Sequence, residues 1–431
     1  MTNPAESAVL RKDRQVKYFI RCLKTFLPHQ YTSNDSSRMT LAFFTIAGLD
    51  LLGSLDDNLQ PSERKGYIDW IYHCQVPSGG FRGFPGTIFG DSKRNPSNEC
   101  WDPANVPATF FALMTLILLG DDLRRVKRRE CLQWLCSMQR EDGSFGEVLA
   151  TEGKFEGSSD LRFCCCAAGI RYILRGQDAD YLRDIEDIDV NSLISHIEAC
   201  QSFDGGFSVS PLNESHAGLT YCALASLSFL GCTPPSAPHA VPVVVPGTAN
   251  FENLIRWLAW RQTTEFEETD ESDNEDERGR ERERLNFDEL KESDCRSIDE
   301  KISSLPVLST AAERPEEDLL WAGFNGRSNK LVDTCYSFWV TGTLSILDRL
   351  NVVNVDTNRR YLLEKTQHLI GGFAKCAGDP PDLLHSYLGL ASFGLFGEAG
   401  IATVDPTFCT SKRARHHLES LPWWTGSKPQ S

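Results

Sequence analysis

One short segment of the chain carries residue types that bind metal ions. Asp333 and Cys335 stand two positions apart, and His385 begins an apolar helical pattern further along. Carboxylate, thiolate and imidazole are ligands that zinc accepts, and a set of three leaves the fourth zinc position open. The same residues could instead serve as a helix N-cap, a buried thiol and a core histidine. The residue types alone leave both interpretations open.

Basic side chains gather around this segment. Arg327 and Lys330 come just before it, and Tyr336 directly follows its cysteine. Lys375 lies ten residues before the histidine, and His216 opens another helical pattern. Positive side chains near helix N-termini form an anion site, and a diphosphate would fit such a site. Arginines and lysines scattered over the surface are the alternative.

A repeated turn organises most of the chain. The pattern Gln-x-x-x-Gly-Gly-Phe, with serine replacing one glycine in the second copy, occurs at residues 75–81, 139–145, 201–207 and 367–373. A further copy is split, because Gln262 is followed by its Gly323-Phe324 half only after a long polar segment. Such periodicity is typical of folds that stack one supersecondary unit several times.

Apolar residues at helical spacing flank these turns. The patterns predict helices at Thr109–Leu119, Cys131–Met138, Cys164–Leu174, Thr220–Leu230, Ser337–Leu347 and Leu384–Phe393. Strand patterns are nearly absent, and Val241–Val245 is interrupted by proline, so we expect a loop there. Helical hairpins repeated five times predict an all-α fold, a closed α-α barrel that spans residues 1–431 as a single domain.

Two segments are expected to be surface additions to this barrel. Residues 234–247 are rich in proline, and a stretch at about residues 263–320 is acidic and low in aromatic residues. Between Glu265 and Asp294 there are fifteen acidic and five basic residues, which supply most of the net charge of −16. We expect a largely disordered insertion into one repeat turn, without a catalytic role. Docking of a basic partner or regulation is the alternative.

Composition excludes several classes of protein. The negative net charge argues against nucleic acid as a partner. No apolar run reaches eighteen residues and the N-terminus has no signal-peptide pattern, so we expect no membrane span. Fifteen cysteines without a Cys-x-x-Cys pair indicate free thiols in a reducing compartment, which predicts a cytoplasmic protein.

The repeat and the segment Arg327–Trp339 resemble the β subunits of protein prenyltransferases, most closely those of the type I geranylgeranyl enzymes. The resemblance runs from about Val16 to Phe396, excluding the two insertions. It implies an α-α barrel of twelve helices and an obligate partner, the α subunit that farnesyltransferase also uses. It also implies transfer of a geranylgeranyl group from geranylgeranyl diphosphate to the cysteine of a C-terminal CaaX motif, mainly with leucine at X, in small GTPases.

The resemblance further implies roles for individual residues. One zinc ion per heterodimer would be held by Asp333, Cys335 and His385. The diphosphate would contact His216, Arg327, Lys330, Tyr336 and Lys375. The isoprenoid would contact Thr40, Phe44, Ala217, Gly218, Cys222, Ser328, Asn329, Ser337, Phe338 and Trp339. The peptide would contact Arg162, Asn105, Phe163 and Leu384, and its last residue would also meet Thr40.

Two positions favour the twenty-carbon lipid within this family. Thr40 stands where farnesyl enzymes have a tryptophan that blocks the end of the lipid channel, and Phe44 would then bound the cavity. Lys375 stands where they have an aspartate that helps to bind Mg²⁺, so we expect no Mg²⁺ requirement. Asn105 and Pro107 replace the His and Ala of the animal type I pattern, which bears on the choice of the last peptide residue.

Other functions stay open on the sequence. The β subunit of a farnesyltransferase or of a Rab geranylgeranyltransferase would share the barrel and the metal site, and the Rab enzyme would also need an escort protein. A helical-repeat scaffold that only binds proteins would need no polar cluster and would hold no metal. A terpene cyclase has similar repeats, but it needs an Asp-x-Asp-Asp or Asp-Asp-x-x-Asp motif, which this sequence lacks.

Overall fold

A computed structural model of the chain describes residues 9–31, 33–95, 97–149, 154–233, 241–264 and 320–426. The predicted acidic insertion, except for its two ends, lies outside the described residues. The Pro-rich segment is described only from Val241 onward, where a short 3-10 helix at Pro242–Val244 replaces any strand. The expectation that no strand forms at Val241–Val245 is therefore confirmed, but Val243 and Val244 are buried rather than part of a surface loop.

Twelve helices form the body of the described chain. They are α1 (Lys12–Lys24), α2 (Arg38–Leu51), α3 (Pro61–His73), α4 (Val106–Leu118), α5 (Arg128–Ser137), α6 (Leu161–Arg175), α7 (Val190–Ala199), α8 (Ala217–Phe229), α9 (Ala249–Ala259), α10 (Thr334–Ile346), α11 (Val355–Tyr361) and α12 (Leu383–Phe396). Each predicted helical segment lies within one of these helices or overruns its C-terminus by a single residue. Single-turn helices at Leu55–Asn58, Ala179–Leu182 and Pro422–Thr425 lie in the connections.

The even-numbered helices form a closed inner ring. Each packs against the even-numbered helix before it and after it, and α12 packs against α2. These helices are apolar nearly all round, as buried helices are, whereas the outer helix α1 buries Tyr18, Phe19 and Cys22 and turns its charged residues to solvent. The predicted all-α barrel is confirmed. No helix in the described ranges is long and apolar enough to cross a membrane.

The repeated turn joins five of the six outer helices to the following inner helix, and only the connection from α1 to α2 lacks it. The glutamine and the phenylalanine of the turn form an antiparallel bridge in four copies. In the split copy Gln262 pairs with Phe324 in the same way, so the two halves meet as the sequence predicted. The phenylalanines are fully buried in all five copies (Phe81, Phe145, Phe207, Phe324 and Phe373).

The same glutamines tie each repeat to the next outer helix. Gln139 accepts a hydrogen bond from the Asp189 backbone N–H (2.7 Å) and donates one to the Asp189 carbonyl (2.9 Å), directly before α7. Gln367 closes the ring, because it accepts from the Arg11 N–H (2.8 Å) and donates to the Val9 carbonyl (3.2 Å), next to α1. The repeat motif is therefore structural, and it ties the turn before each of five inner helices to the next outer helix.

Short strands occupy the turns and the far end of the barrel. They form four antiparallel pairs: β1 (Val148–Leu149) with β2 (Phe155–Glu156), β3 (Gln262–Thr263) with β4 (Gly323–Phe324), β5 (Phe373–Ala374) with β6 (Pro381–Asp382), and β7 (Val404–Asp405) with β8 (Thr410–Ser411). Two-residue strands are too short to show an alternating pattern in the sequence. A last helix, α13 (Lys412–Ser420), packs with β7 and β8 against α4 beyond the C-terminal ends of the inner helices.

Candidate active site

The N-termini of the inner helices bring polar side chains to one end of the barrel. Five of these helices begin with a side chain that accepts a backbone N–H of the first turn, and the residues are Asn105, Asp160, His216, Asp333 and Asp382. Because a repeat turn leads into each of these five helices from the same side, the caps lie together at one mouth of the barrel. The side chains that could carry out chemistry are N-caps or close neighbours of N-caps. Asp333 is an N-cap, and this role does not prevent it from binding a metal as well.

Asp333, Cys335 and His385 form a buried cluster at this mouth. Their candidate ligand atoms all lie within 4.8 Å of one another. The three residues are only 7% to 8% exposed. Asp333 and Cys335 belong to the start of α10, and His385 belongs to the start of α12. Within the described residues this is the one cluster of three or more His, Cys, Asp or Glu side chains that fits a metal ion. The donor set of one oxygen, one sulfur and one nitrogen fits zinc chemistry with one position open.

The electrostatics of the cluster favour a cation. His385 Nε2 lies 3.1 Å from Asp333 Oδ1, and the Cys335 backbone N–H donates to the same oxygen at 2.8 Å. Burial lowers the pKa of His385, but the Asp333 and Asp382 carboxylates outweigh burial and raise that pKa to about 9. Burial and the Asp333 charge raise the pKa of the Cys335 thiol well above its usual range. The negative potential of the two carboxylates therefore stabilises a positive charge at this cluster.

Asp382 also belongs to the candidate site, although the sequence did not single it out. It caps α12, and its Oδ2 lies 2.5 Å from His385 Nδ1 while the Tyr31 hydroxyl donates to its Oδ1 at 3.1 Å. A carboxylate on Nδ1 fixes the ring so that Nε2 faces the ligand position, as in carboxylate–histidine–metal arrangements. The spacing Asp-x-x-His at a helix start was the available signal.

His216 and Tyr336 form a second polar pair beside the cluster. The Gly218 backbone N–H donates to His216 Nδ1 at 3.1 Å, so the ring proton of the neutral imidazole lies on Nε2. Burial, together with Arg327 and Arg162, lowers the pKa of His216, which keeps the ring neutral at pH 7. Nε2 lies 3.0 Å from the Tyr336 hydroxyl, which leaves the hydroxyl hydrogen of Tyr336 available to a further acceptor.

The remaining predicted diphosphate residues lie on two loops at the same mouth. Arg327 is half-exposed and pairs with Glu214 at 2.9 Å, two residues before His216. Lys330 is exposed on the loop that leads into α10. Lys375 is also exposed, and its carbonyl accepts the Thr334 N–H at 2.9 Å, which places its backbone at the start of α10. The structure therefore brings all five predicted residues around the N-termini of α8 and α10.

A cavity of about 740 Å³ opens beside these residues and runs into the barrel. Its wall is largely aromatic and aliphatic: Phe43, Phe44, Phe110, Phe111, Phe163, Leu219, Tyr221, Trp339, Leu384, Tyr387 and Phe408 all line it. The wall also includes three residues from the polar mouth, His216, Cys335 and Tyr336. The loop between β7 and β8 contributes Thr407 and Cys409. The volume falls within the range of about 300–1,000 Å³ that is common for ligand pockets.

The predicted lipid and peptide residues divide into two groups. Those that line the cavity are Phe44, Gly218, Cys222, Trp339, Arg162, Phe163 and Leu384. Those that do not are Thr40, Asn105, Ala217, Ser328, Asn329, Ser337 and Phe338. Phe338 packs on Tyr221 between inner helices, and the Ser337 hydroxyl accepts from Asn358 at 3.1 Å. Ser328 lies on the mouth loop, where Arg261 donates to its hydroxyl at 3.3 Å.

Thr40 is not among the residues that line the cavity. It is half-buried in the first turn of α2, at the same end of the barrel as the metal cluster. Phe44, one turn later, reaches the cavity wall and stacks on Tyr387 with ring centroids 5.5 Å apart. Thr40 therefore lies one helical turn from a side chain that lines the cavity.

A family model of the prenyltransferase alpha-alpha toroid domain matches residues 10–410 of the chain. The chain belongs to the prenyltransferase α-α toroid family. The matched range covers all twelve barrel helices of this prenyltransferase and the whole polar mouth. It ends just before α13.

Relatives of this prenyltransferase include two proteins named geranylgeranyl transferase type-1 subunit beta. The one from Arabidopsis thaliana is 29% identical over 412 residues, which are 93% of this chain and 88% of that protein. The one from Dictyostelium discoideum is 29% identical over 422 residues, or 94% and 96%. A protein farnesyltransferase subunit beta from Pyricularia oryzae is 26% identical over 393 residues, or 85% and 60%.

A solved structure gives the same result in three dimensions. Candida albicans protein geranylgeranyltransferase-I complexed with GGPP matches this prenyltransferase with a TM-score of 0.71 and 27% identity. The match covers 96% of this chain and 99% of that one. The resemblance to type I β subunits, first seen in the repeat and in Arg327–Trp339, is confirmed.

Proposed function

We propose that the chain is the catalytic β subunit of a zinc-dependent protein geranylgeranyltransferase type I. It transfers a geranylgeranyl group from geranylgeranyl diphosphate to the cysteine of C-terminal CaaX motifs, mainly with leucine at X, in Rho-, Rac- and Rap-type small GTPases and similar proteins. The observation that carries the proposal is the buried Asp333–Cys335–His385 cluster at the mouth of a large apolar cavity. Full-length similarity to two type I β subunits supports it.

Zinc fits the donor set, and the three residues would hold it with one position open for the substrate thiol. Zinc supplies a bound thiolate that stays nucleophilic at neutral pH. Asp382 orients His385 toward the ion through Nδ1. Asp333 and Cys335 contribute two negative charges to the site, so the bound sulfur of the substrate keeps more electron density than it would beside a cationic site.

The chain's own polar residues act on the leaving group. As the substrate sulfur bonds to C1 of the isoprenoid, the bond from C1 to the diphosphate oxygen breaks and negative charge grows on the diphosphate. Tyr336, which accepts from His216, can donate its hydroxyl hydrogen to that charge. Arg327, Lys330 and Lys375 surround the same mouth and add positive charge.

The cavity holds the lipid tail. Each methylene that leaves water for this aromatic wall contributes about 0.8 kcal/mol. Phe44, Cys222 and Trp339 line the wall from three different inner helices, α2, α8 and α10, so the tail would lie along the inside of the ring. The arrangement favours a long apolar donor over a water-soluble one.

Several finer features belong to the same proposal. The partner is an α subunit shared with farnesyltransferase, in a heterodimer with one zinc ion. Lys375 at the mouth places an ammonium where Mg²⁺ would otherwise be needed, so the reaction proceeds without Mg²⁺. The fourteen cysteines of the described residues are free thiols, which supports a cytoplasmic location. The barrel acts as a single domain, and the acidic insertion has no catalytic role.

One assay tests the proposal directly. The chain is co-expressed with an α subunit and offered geranylgeranyl or farnesyl diphosphate with peptides ending in leucine or serine. We expect preferential transfer of the twenty-carbon group to the leucine peptide, without added Mg²⁺ and with loss of activity on chelation of zinc. Preference for the fifteen-carbon donor would instead identify a farnesyltransferase. The similarity to the farnesyltransferase β subunit from Pyricularia oryzae keeps this alternative in view. A metal-free complex that transfers neither lipid would contradict the proposal.

A further inference from the structure

A buried arginine contacts the loop that carries two of the residues expected at the diphosphate. Arg261 lies two residues after the end of α9 and is only 4% exposed. The mouth loop, residues 325–330, leads from β4 towards α10 and includes Arg327 and Lys330. Arg261 belongs neither to the cavity wall nor to the metal cluster. Neither of those two sites therefore accounts for a buried guanidinium at this position.

Arg261 holds the mouth loop at two points. Its backbone carbonyl accepts the Asn325 N–H at 2.9 Å, at the start of the loop. Its Nη2 donates to the Ser328 hydroxyl at 3.3 Å, three residues further along. One residue thus spans the segment that contains Arg327. The position of Arg327 therefore depends on a side chain from outside the loop.

The loop is closely fitted to the starts of α8 and α10 between these two points. The Gly326 carbonyl accepts the Ala217 N–H at 2.9 Å. A methyl group placed on Gly326 would lie 2.1 Å from Cζ of Tyr336, so only bare backbone fits against this ring. Arg327 is the next residue, and misplacement of a contacting group by about 1 Å can be costly in an active site. A contact that fixes this loop therefore affects how Arg327 meets its ligand.

The positive charge of Arg261 has no carboxylate in contact. Within the described part of the chain no salt bridge involves it, and its buried Nη1 has no hydrogen-bond partner. Nε donates to the Trp257 carbonyl at 3.3 Å, and the guanidinium lies over the Trp257 ring, 4.7 Å from its centroid. Burial lowers the pKa of Arg261, and the more distant Asp204 and Glu214 carboxylates offset this only in part. Arginine stays protonated in proteins, so an unpaired positive charge lies beside the loop.

We propose that Arg261 is a positioning residue for the diphosphate of the lipid substrate, a proposal that rests on the proposed function. It fixes the mouth loop so that Arg327 meets the diphosphate, and its own unpaired charge attracts that anion across the loop. It touches neither the reacting atoms nor the metal. It should therefore govern the affinity for the lipid diphosphate and leave the metal and the peptide unaffected. A residue that served only packing would lower the stability of the fold without this selectivity.

The main test is Arg261→Met, which keeps a long side chain but removes the charge and the donors. The Kd of geranylgeranyl diphosphate is measured for the zinc-loaded α/β complex. We expect Kd to rise at least about tenfold, because hydrogen bonds from charged groups are strong. Affinity for geranylgeranyl monophosphate, which carries less charge, should fall by no more than about threefold. Zinc content and the KM of the peptide should stay within about twofold of the wild type.

A double-mutant cycle tests whether Arg261 acts through Arg327. Arg327→Ala is made in the wild type and in Arg261→Met, and the Kd of geranylgeranyl diphosphate is measured for all four proteins. Because a misplaced Arg327 has less to lose, its removal should weaken binding at least about threefold less in the Arg261→Met background. Equal losses in the two backgrounds would overturn the positioning role.

Arg256→Met is the matched control, because Arg256 is exposed on the same helix, five residues earlier. Its Kd should equal that of the wild type. An unchanged Kd in Arg261→Met would overturn the proposal. If that variant does not assemble, Arg261→Lys replaces it, since lysine keeps the charge but lacks the planar fork of donors. Its Kd should rise at least about threefold, and an unchanged value would likewise overturn the proposal. A wild-type complex that holds zinc and an α subunit but does not bind geranylgeranyl diphosphate would instead contradict the proposed function.

Discussion

His385 Nδ1 lies 2.5 Å from the carboxylate of Asp382, and both residues belong to the start of α12. This contact directs Nε2 of the imidazole toward Asp333 on the neighbouring helix α10. One local hydrogen bond therefore orients a ligand for a site that is shared between two helices.

Cys335→Ala should remove both the metal and the transfer activity. The thiolate is one of only three protein ligands, and two ligands hold zinc weakly. Metal analysis of the purified α/β complex and a peptide transfer assay check this. Cys376→Ala is the control, because the Cys376 thiol lies nearby, donates to the Val332 carbonyl at 3.5 Å and is not part of the cluster. Stoichiometric zinc in Cys335→Ala would show that the ligand assignment is wrong.

Asp382→Asn should weaken zinc binding by about 10- to 100-fold, as removal of such outer partners usually does. The amide can still cap α12, but it lacks the charge that fixes the proton on His385 Nδ1. Competition with a chromophoric chelator measures the zinc affinity. Asp379→Asn, an exposed position in the preceding loop, is the control. Equal zinc affinities for Asp382→Asn and the wild type would remove Asp382 from the site.

Tyr336→Phe should slow the chemical step by roughly 10²-fold, the usual cost of losing one donor to developing negative charge. The aromatic ring and its edge-on contact with His216 remain, at a centroid distance of 5.5 Å. Single-turnover transfer with preloaded lipid diphosphate isolates this step. Tyr67→Phe on the outer helix α3 is the control. If the Tyr336 variant keeps the wild-type single-turnover rate, then the hydroxyl does not contact the leaving group.

Thr40→Trp should shift preference from the twenty-carbon donor toward the fifteen-carbon donor by about tenfold or more, since buried lipid carbons contribute heavily to binding. An indole there would press on Phe44, one turn along α2, and reduce the cavity from that side. The ratio of kcat/KM for the two donors with one peptide is the measurement. Thr40→Val tests the hydroxyl without the volume. An unchanged ratio in Thr40→Trp would leave Lys375 as the one sequence argument for the longer lipid.

Deletion of residues 267–301 should leave turnover of a short peptide nearly unchanged. The segment lies between Gln262 and Phe324, which pair directly, so the repeat turn closes without it. Long insertions in surface loops add little to the free energy of loop closure. Steady-state kinetics of the deletion variant bound to the α subunit check this. A loss of about tenfold in peptide kcat/KM would mean that the segment helps to stabilise the transition state, and it would contradict the prediction.

The sequence by itself determined the features that depend on neighbours along the chain. Helical periodicity placed the inner helices, and the repeated Gln-to-Phe turn indicated that they form one ring. The Asp-x-Cys spacing predicted that two candidate metal ligands lie close together, because Cys335 is in the first turn of the helix that Asp333 caps. These patterns involve residues that are close in the sequence, so they could be recognised without knowing how the helices pack.

Only the tertiary structure decided which distant residues meet. His385 follows Asp333 by more than fifty residues, and the closing of α12 against α10 brings their side chains to 3.1 Å. Glu147 lies in a turn beside β1, and no sequence pattern showed that it would line the cavity. Thr40 does not line the cavity while Phe44, one turn later on the same face of α2, does, because the two residues lie at different depths along the barrel and Phe44 has the longer side chain. The depth at which the cavity meets each inner helix depends on side-chain packing around the whole ring, which a local pattern does not contain.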